Sequence, residues 1–275
     1  MKAVELAKRS EVAVVVARSY ETQAMDRPNL ELPNLQARLI RAVAAANPRT
    51  VVVLMTGSSI ETQSWQEGVP AILEAWFVGQ EQGQAVVRVL FGDVNPSGKL
   101  PLTFPKNDTP LHSNLEYPGI NGQVHYTDGL NIGYRAYDAL GIEPQYEFGF
   151  GLSYTSFVYS NLEIVLTQNE IAINFEIKNT GDCAGLEIAQ LYLKPPKAAE
   201  LPPKKLAGWA RVNLQAGETK QVTITLDTTS LERPFSIWNT NAKCWEIVAG
   251  EYGVLVGASS RDIRLTGHVA LEEQA

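Results

Sequence analysis

Up to about residue 105, short β-branched runs alternate with longer stretches of helical period, the pattern of an open α/β sheet. Glu11–Ala17, Thr50–Thr56 and Ala71–Phe77 predict strands. Between the first two, Pro33-Asn34 leads into residues 35–44, where Leu35, Leu39, Ile40 and Val43 share one face and predict a crossover helix over the sheet. A second helix is predicted over Gln80 to Phe91, with Ala85, Val86, Val89 and Leu90 inward and Gly92 as a C-cap type of ending. Three βα units are therefore expected. At the start, charges interrupt the apolar residues of Met1–Arg9, which predicts a short amphipathic helix rather than a signal peptide.

The stretch 106–156 is rich in Pro, Gly, Tyr and Asn and sustains neither period, as expected of a long ordered linker between domains. From 157 to 270 short strands recur at regular spacing: Asn161–Thr167, Ile171–Asn179, Glu187–Lys194, Lys220–Leu226, Ser236–Trp238, Lys243–Val248 and Gly250–Gly257. Turn residues such as Asn179-Thr-Gly-Asp and Gln215-Ala-Gly-Glu separate them, predicting a seven-stranded antiparallel sandwich. The expected fold class is an α/β open sheet over 1–105, followed by an all-β sandwich over 157–270.

Composition narrows the chemistry. In 275 residues, 45% are hydrophobic and 19% charged, as in folded globular chains of two ordinary domains. The net charge of −7, from 23 basic and 30 acidic residues, opposes binding to nucleic acid. The longest apolar runs, near Val12–Ala17 and Thr50–Met55, fall far short of the roughly 20 residues of a membrane helix. A soluble chain, cytoplasmic by default, is expected. Cys183 and Cys244 are too few for a disulfide scaffold, and His112, His125 and His268 are too scattered for a helical metal site, so no metal or cofactor is expected.

Two motifs fail on inspection. Gly92-Asp-Val-Asn-Pro-Ser-Gly-Lys-Leu100 resembles a phosphate loop, but its glycine spacing is one residue too long and Leu100 replaces the magnesium-binding hydroxyl. Ser58 and Ser153 lack a G-x-S-x-G setting, so a serine hydrolase is not supported.

Other motifs agree with one another. Asn95-Pro-Ser-Gly-Lys-Leu-Pro101, Gly133-Tyr-Arg-Ala-Tyr-Asp-Ala-Leu-Gly-Ile-Glu-Pro144 and Phe148-Gly-Phe-Gly-Leu-Ser-Tyr-Thr155 resemble the second domain and following linker of family 3 glycoside hydrolases of the β-glucosidase type. Lys178-Asn-Thr-Gly181, Gln190-Leu-Tyr192, Leu206-Ala-Gly-Trp209, Ala216-Gly-Glu218 and residues 257–262 are similar to that family's fibronectin type III-like domain. The resemblance covers essentially the whole chain. Family members usually begin with a (β/α)8 barrel, whose Asp attacks the anomeric carbon. The resemblance therefore implies that this chain lacks the barrel, and that with three βα units it also lacks the first part of the α/β sandwich. An apolar exposed face is expected where the barrel would sit.

Retaining glycoside hydrolysis needs two carboxyl groups roughly 5–5.5 Å apart, one attacking the sugar and one carrying the proton. In the β-glucosidase branch the acid/base Glu is the third residue of an E-S-E-G-x-D-R type segment. Here Glu21-Thr-Gln-Ala-Met-Asp-Arg27 matches that segment and puts Gln23 at the acid/base position. An amide has no titratable proton in the useful range. Glu21 is the candidate substitute, or else a solvated loop carboxylate. Asp26 and Arg27 are candidates for shaping the substrate site, or else for local capping and pairing. Tyr126, Tyr134 and Tyr137 offer rings for a sugar face or for domain packing.

The function implied is the C-terminal portion of a β-glucosidase-like hydrolase, incompetent alone. Its implied partners are a β-linked glucoside or oligosaccharide substrate and a separate barrel-bearing chain, with no nucleic acid and no membrane. The alternatives are a noncatalytic carbohydrate-binding or protein-interaction module, and a reading frame that begins upstream of Met1.

Overall fold

The structure, a computed structural model, describes residues 2–24, 27–107, 119–199 and 201–272. The chain folds as two compact units. One is built on Met1–Val94 with Glu143–Tyr146 and the segment beginning at Thr103, the other on Asn95–Leu102 and Glu147–Ala275 with the segment ending at Ile142. The stretch expected as a linker is thus divided between the units, and it holds a helix that its composition concealed, Tyr134–Ala139.

The first unit centres on an open parallel sheet, ordered β1 (Ala13–Arg18), β2 (Thr50–Met55) and β3 (Ala71–Glu74). Val15 pairs with Val52, and Val52 with Ile72, so these β-branched and aliphatic residues form one row across the sheet. Helix α1 (Lys2–Arg9) precedes the sheet, α2 (Gln36–Ala46) connects β1 to β2, and α3 (Gln82–Leu90) follows β3. The inner face of α2 buries Ile40, Val43 and Ala44, as its period requires.

Asn47, 5% exposed, ties the helix ends to the sheet: its side-chain amide donates to the carbonyls of Ala7 and Ser10 at 3.0 and 2.9 Å, and its main-chain carbonyl accepts from the Thr50 hydroxyl at 2.7 Å. No helix joins β2 to β3; residues 56–70 cross in turns and bends. β3 also stops three residues short of the predicted Phe77. Trp76 takes a left-handed φ of 52°, which a strand cannot accommodate. The outward face of β1 is apolar and open, with Val14 and Val16 at 50% and 57% exposure.

The second unit carries helix α4 (Tyr134–Ala139) and an all-β region with two main sheets. One sheet is ordered β12 (Ile263–Leu271), β11 (Gly250–Gly257), β6 (Gly185–Lys194), β7 (Lys205–Leu214), and the other β4 (Phe157–Leu166), β5 (Glu170–Asn179), β8 (Thr219–Asp227). Phe175, Ile173, Leu191 and Val254, fully buried, belong to one hydrophobic core.

Seven strands were expected, and the two main sheets hold seven among the described residues, but the membership differs. The predicted strands at 236 and 243 form a separate hairpin, β9 (Ser236–Asn239) and β10 (Cys244–Ile247). β7 and β12 take their places. In β7 the weak β-formers Ala207, Gly208 and Ala210 mask the strand. Gly208 is needed there because a Cβ would stand 2.8 Å from Ile224 of β8 in the other sheet.

Lys99 enters this unit's interior to meet Glu187 at 3.3 Å, and the same Glu187 oxygen accepts from the Tyr159 hydroxyl at 3.0 Å. Burial first, and then the Glu187 charge, push the Tyr159 pKa up, so the hydroxyl remains a donor. Cys183 and Cys244 are free and exposed.

Candidate active site

Because β1, β2 and β3 are parallel, their carboxyl ends gather at one edge, where open α/β sheets commonly carry their chemistry. The segment after β1 brings Ser19, Glu21 and Arg27, the segment after β2 brings Thr56, Gly57 and Ser58, and β3 ends in Glu74.

Glu21 is held from several sides. Arg27 Nη1 lies 2.7 Å from Oε1, while Oε2 accepts from the Ser19 hydroxyl and from the Gly57 N–H at 3.2 Å. Arg27 is fixed in turn, donating to the Ser58 hydroxyl at 3.2 Å and to the Ser59 carbonyl at 3.0 Å. Burial by itself would raise the Glu21 pKa. The hydrogen bonds from Ser19, Arg27 and Gly57 outweigh it and hold the carboxyl below the usual range. Gly57 has no room for a side chain, since a Cβ would come within 2.9 Å of the Phe77 ring and 3.3 Å of Glu21 Oε2.

Glu74 behaves oppositely. Burial pushes its pKa up to about 7, against hydrogen bonds from the Trp76 N–H at 2.9 Å and from Thr56, with the charge of Glu21 adding to the rise. The Thr56 hydroxyl lies 2.9 Å from the Ser58 carbonyl and 3.2 Å from Glu74 Oε2. A Thr56 proton given to the Ser58 carbonyl leaves Thr56 Oγ1 free to accept the proton of a neutral Glu74. Two carboxyl groups at the ends of the strands that flank β2 thus differ in charge near neutral pH, Glu21 ionised and Glu74 half protonated. Glu74 carries no motif in the sequence; its one signal is a carboxylate closing the apolar run Ala71-Ile-Leu.

The other predicted positions fall as follows. Gln23 is exposed in a turn, two residues beyond Glu21 and just before Ala24, whose φ is 65°. Asp26 lies outside the described residues. Tyr126 and Tyr134 belong to the second unit. Tyr126 is 92% exposed. The ring of Tyr134 stacks on Phe148 at 4.8 Å and meets Tyr192 edge-on at 5.9 Å, and its hydroxyl accepts from the Leu206 N–H at 2.7 Å. Tyr137 is buried. Among the described residues no cluster of three or more His, Cys, Asp or Glu could hold a metal ion.

The sequence pattern of the glycosyl hydrolase family 3 C-terminal domain matches residues 1–154, more than half of the chain, and that of the fibronectin type III-like domain matches 187–260. The chain belongs to glycosyl hydrolase family 3. Among its relatives, thermostable beta-glucosidase B of Acetivibrio thermocellus is 44% identical over 272 residues, which make up 96% of this chain and 35% of that protein. An exo-alpha-(1->6)-L-arabinopyranosidase of Bifidobacterium longum is 41% identical over 98% of this chain and 36% of its own length.

The crystal structure of a beta-glucosidase from Streptomyces venezuelae in complex with D-glucose superposes with a TM-score of 0.94 at 38% identity, covering 98% of this chain and 35% of that one. Beta-glucosidase 3B from Thermotoga neapolitana gives 0.89 at 37% identity, over 99% and 39%. The chain therefore spans about a third of the length of these relatives, and its residues 1–154 match the family's C-terminal domain.

Proposed function

We propose that this chain is the C-terminal portion of a β-glucosidase-type glycoside hydrolase and acts only when a (β/α)8 barrel on another polypeptide, or on a longer form of this one, supplies the nucleophile. The observation that carries the proposal is the match along 96% of the chain to 35% of a thermostable beta-glucosidase. A terminal β-linked glucosyl residue is the proposed substrate. The arabinopyranosidase among the relatives keeps the sugar class wider than glucose.

In this reading Arg27 shapes the edge of the sugar site together with Asp26, and Glu21 is its fixed counter-charge. Glu21 is a poor substitute acid, since its two oxygens accept three hydrogen bonds and its depressed pKa leaves no proton to give at neutral pH. Gln23 occupies the acid/base position and can only hydrogen-bond a glycosidic oxygen. Of the two predicted tyrosines, Tyr126 offers an open ring for stacking, whereas the ring of Tyr134 is engaged by Phe148 and Tyr192.

Gln23 also favours a second reading, a noncatalytic carbohydrate-binding or protein-interaction module. Mixing the chain with the barrel domain of a family relative and assaying an aryl β-glucoside separates the two. Turnover above that of the barrel alone supports the first. A well-formed complex that shows no gain with either the native chain or Gln23→Glu supports the second.

A further inference from the structure

The second unit contains a cavity of about 500 Å³ for which the reading above has no use. Its walls are apolar, with Leu193, Phe235 and Ile237, and with Trp238 and Trp245 about half exposed and packed edge to face at 5.6 Å. Arg233 covers one face of Trp245, its guanidinium carbon 5.2 Å from the ring centroid.

Two cations also line the cavity, Arg135 and Lys205, while among the described residues no lining residue is Asp, Glu, Asn or Gln. Among the described residues no carboxylate pairs with either, and the Arg135 guanidinium carbon lies 6.0 Å from the centroid of the Tyr134 ring. Arg135 Nε is buried without a hydrogen-bond partner among the described residues, and its Nη1 makes one long contact, 3.4 Å, to the Leu130 carbonyl. Lys205 has a hydrogen bond to the Arg233 carbonyl at 3.0 Å, and its ammonium carries three donors. Burial, and then the charge of Arg135, lower the Lys205 pKa, as expected of two neighbouring cations. The nearby carboxylate of Asp138 is already shared by Lys204 at 2.6 Å and Arg261 at 3.4 Å. In a chain of net charge −7, two cations facing an apolar cavity with no carboxylate among the described lining residues are a specific arrangement.

We propose that this cavity is a binding site for a small aromatic carboxylate, its ring against Trp238 and its carboxylate bridging Arg135 and Lys205. A saccharide fits less well. Sugar hydroxyls are donors as well as acceptors, and the described lining residues supply no carboxylate or side-chain amide to receive them. A carboxylate brings acceptors alone, which is what a partnerless Arg Nε and an under-used ammonium require.

The test is titration of the full chain with 3-phenylpropionate, its neutral amide 3-phenylpropanamide and methyl β-glucoside, read by calorimetry and by tryptophan fluorescence. The acid is expected to bind at least about tenfold more tightly than the amide and to quench fluorescence, with no response to the glucoside. Arg135→Gln is expected to remove the preference for the acid while leaving amide binding in place, and retained amide binding reports that the variant is folded. Equal binding of acid and amide by the native chain would overturn the proposal, as would silence toward both at about millimolar concentration. A response to the glucoside in place of the acid would also overturn it.

Discussion

Arg27 and Glu21, six residues apart, form a 2.7 Å ion pair at the carboxyl end of the parallel sheet, and both side chains are more than four-fifths buried. Each is anchored elsewhere, Arg27 on the Ser58–Ser59 segment and Glu21 on Ser19 and Gly57, so the pair staples the segment after β1 to the segment after β2. Gln23 stands on the loop that this staple closes.

Removing Arg27 leaves a largely buried carboxylate with two of its donors. Arg27→Met is expected to cost about 1–3 kcal/mol in urea denaturation at pH 7. Because the folded-state pKa of Glu21 is depressed, its contribution is present above the unfolded value near 4.5 and is lost as pH falls through the folded value. Glu21→Gln is therefore expected to flatten the acid limb of the stability profile measured below about pH 4.5.

Glu74 has the opposite sign. Its folded-state pKa, about 7, lies above the reference value of 4.5, so its contribution is complete below pH 4.5 and is lost as pH rises through 7. Glu74→Gln is expected to match the native chain near pH 4.5 and to exceed it at pH 8 by on the order of 2–3 kcal/mol. Denaturant midpoints across that range check the sign; a variant less stable at pH 8 would contradict it.

In the second unit, Lys99 and Glu187 are 12% and 5% exposed, so their ion pair is shielded from solvent and from salt. Lys99→Met would strand the Glu187 carboxylate with Tyr159 as its remaining donor, at a cost of about 3–5 kcal/mol. Tyr159→Phe removes one hydrogen bond and is expected to cost about 1–2 kcal/mol. Thermal melts of both variants would check the ranking.

The parts of the fold visible in the sequence were those carried by local period. The run Thr50–Met55 and the helical face of Ile40 and Val43 announce their elements without help from the rest of the chain. β7 was hidden because Gly208 answers to Ile224 on the opposite sheet, a constraint that only the packed sandwich imposes. α4 was hidden among residues whose surroundings read as loop, although Ala136 and Tyr137 bury one side of it. At the candidate site, the spacing of Glu21, Gln23 and Arg27 was legible through family resemblance. The clasp of Glu21 by Gly57 and the raised pKa of Glu74 were not, because both depend on which strand ends lie side by side.

The most direct test of the proposed role is glucose release from cellobiose by the native chain and by Gln23→Glu, each assembled with the barrel domain of a family relative. Cellobiose has a poor leaving group, so its cleavage depends on a general acid. Such catalysis contributes typically 10²–10⁴-fold. The Gln23→Glu assembly is expected to turn over at least about 10²-fold faster than the native one. Equal rates in the two assemblies, both well above the barrel alone, would contradict it.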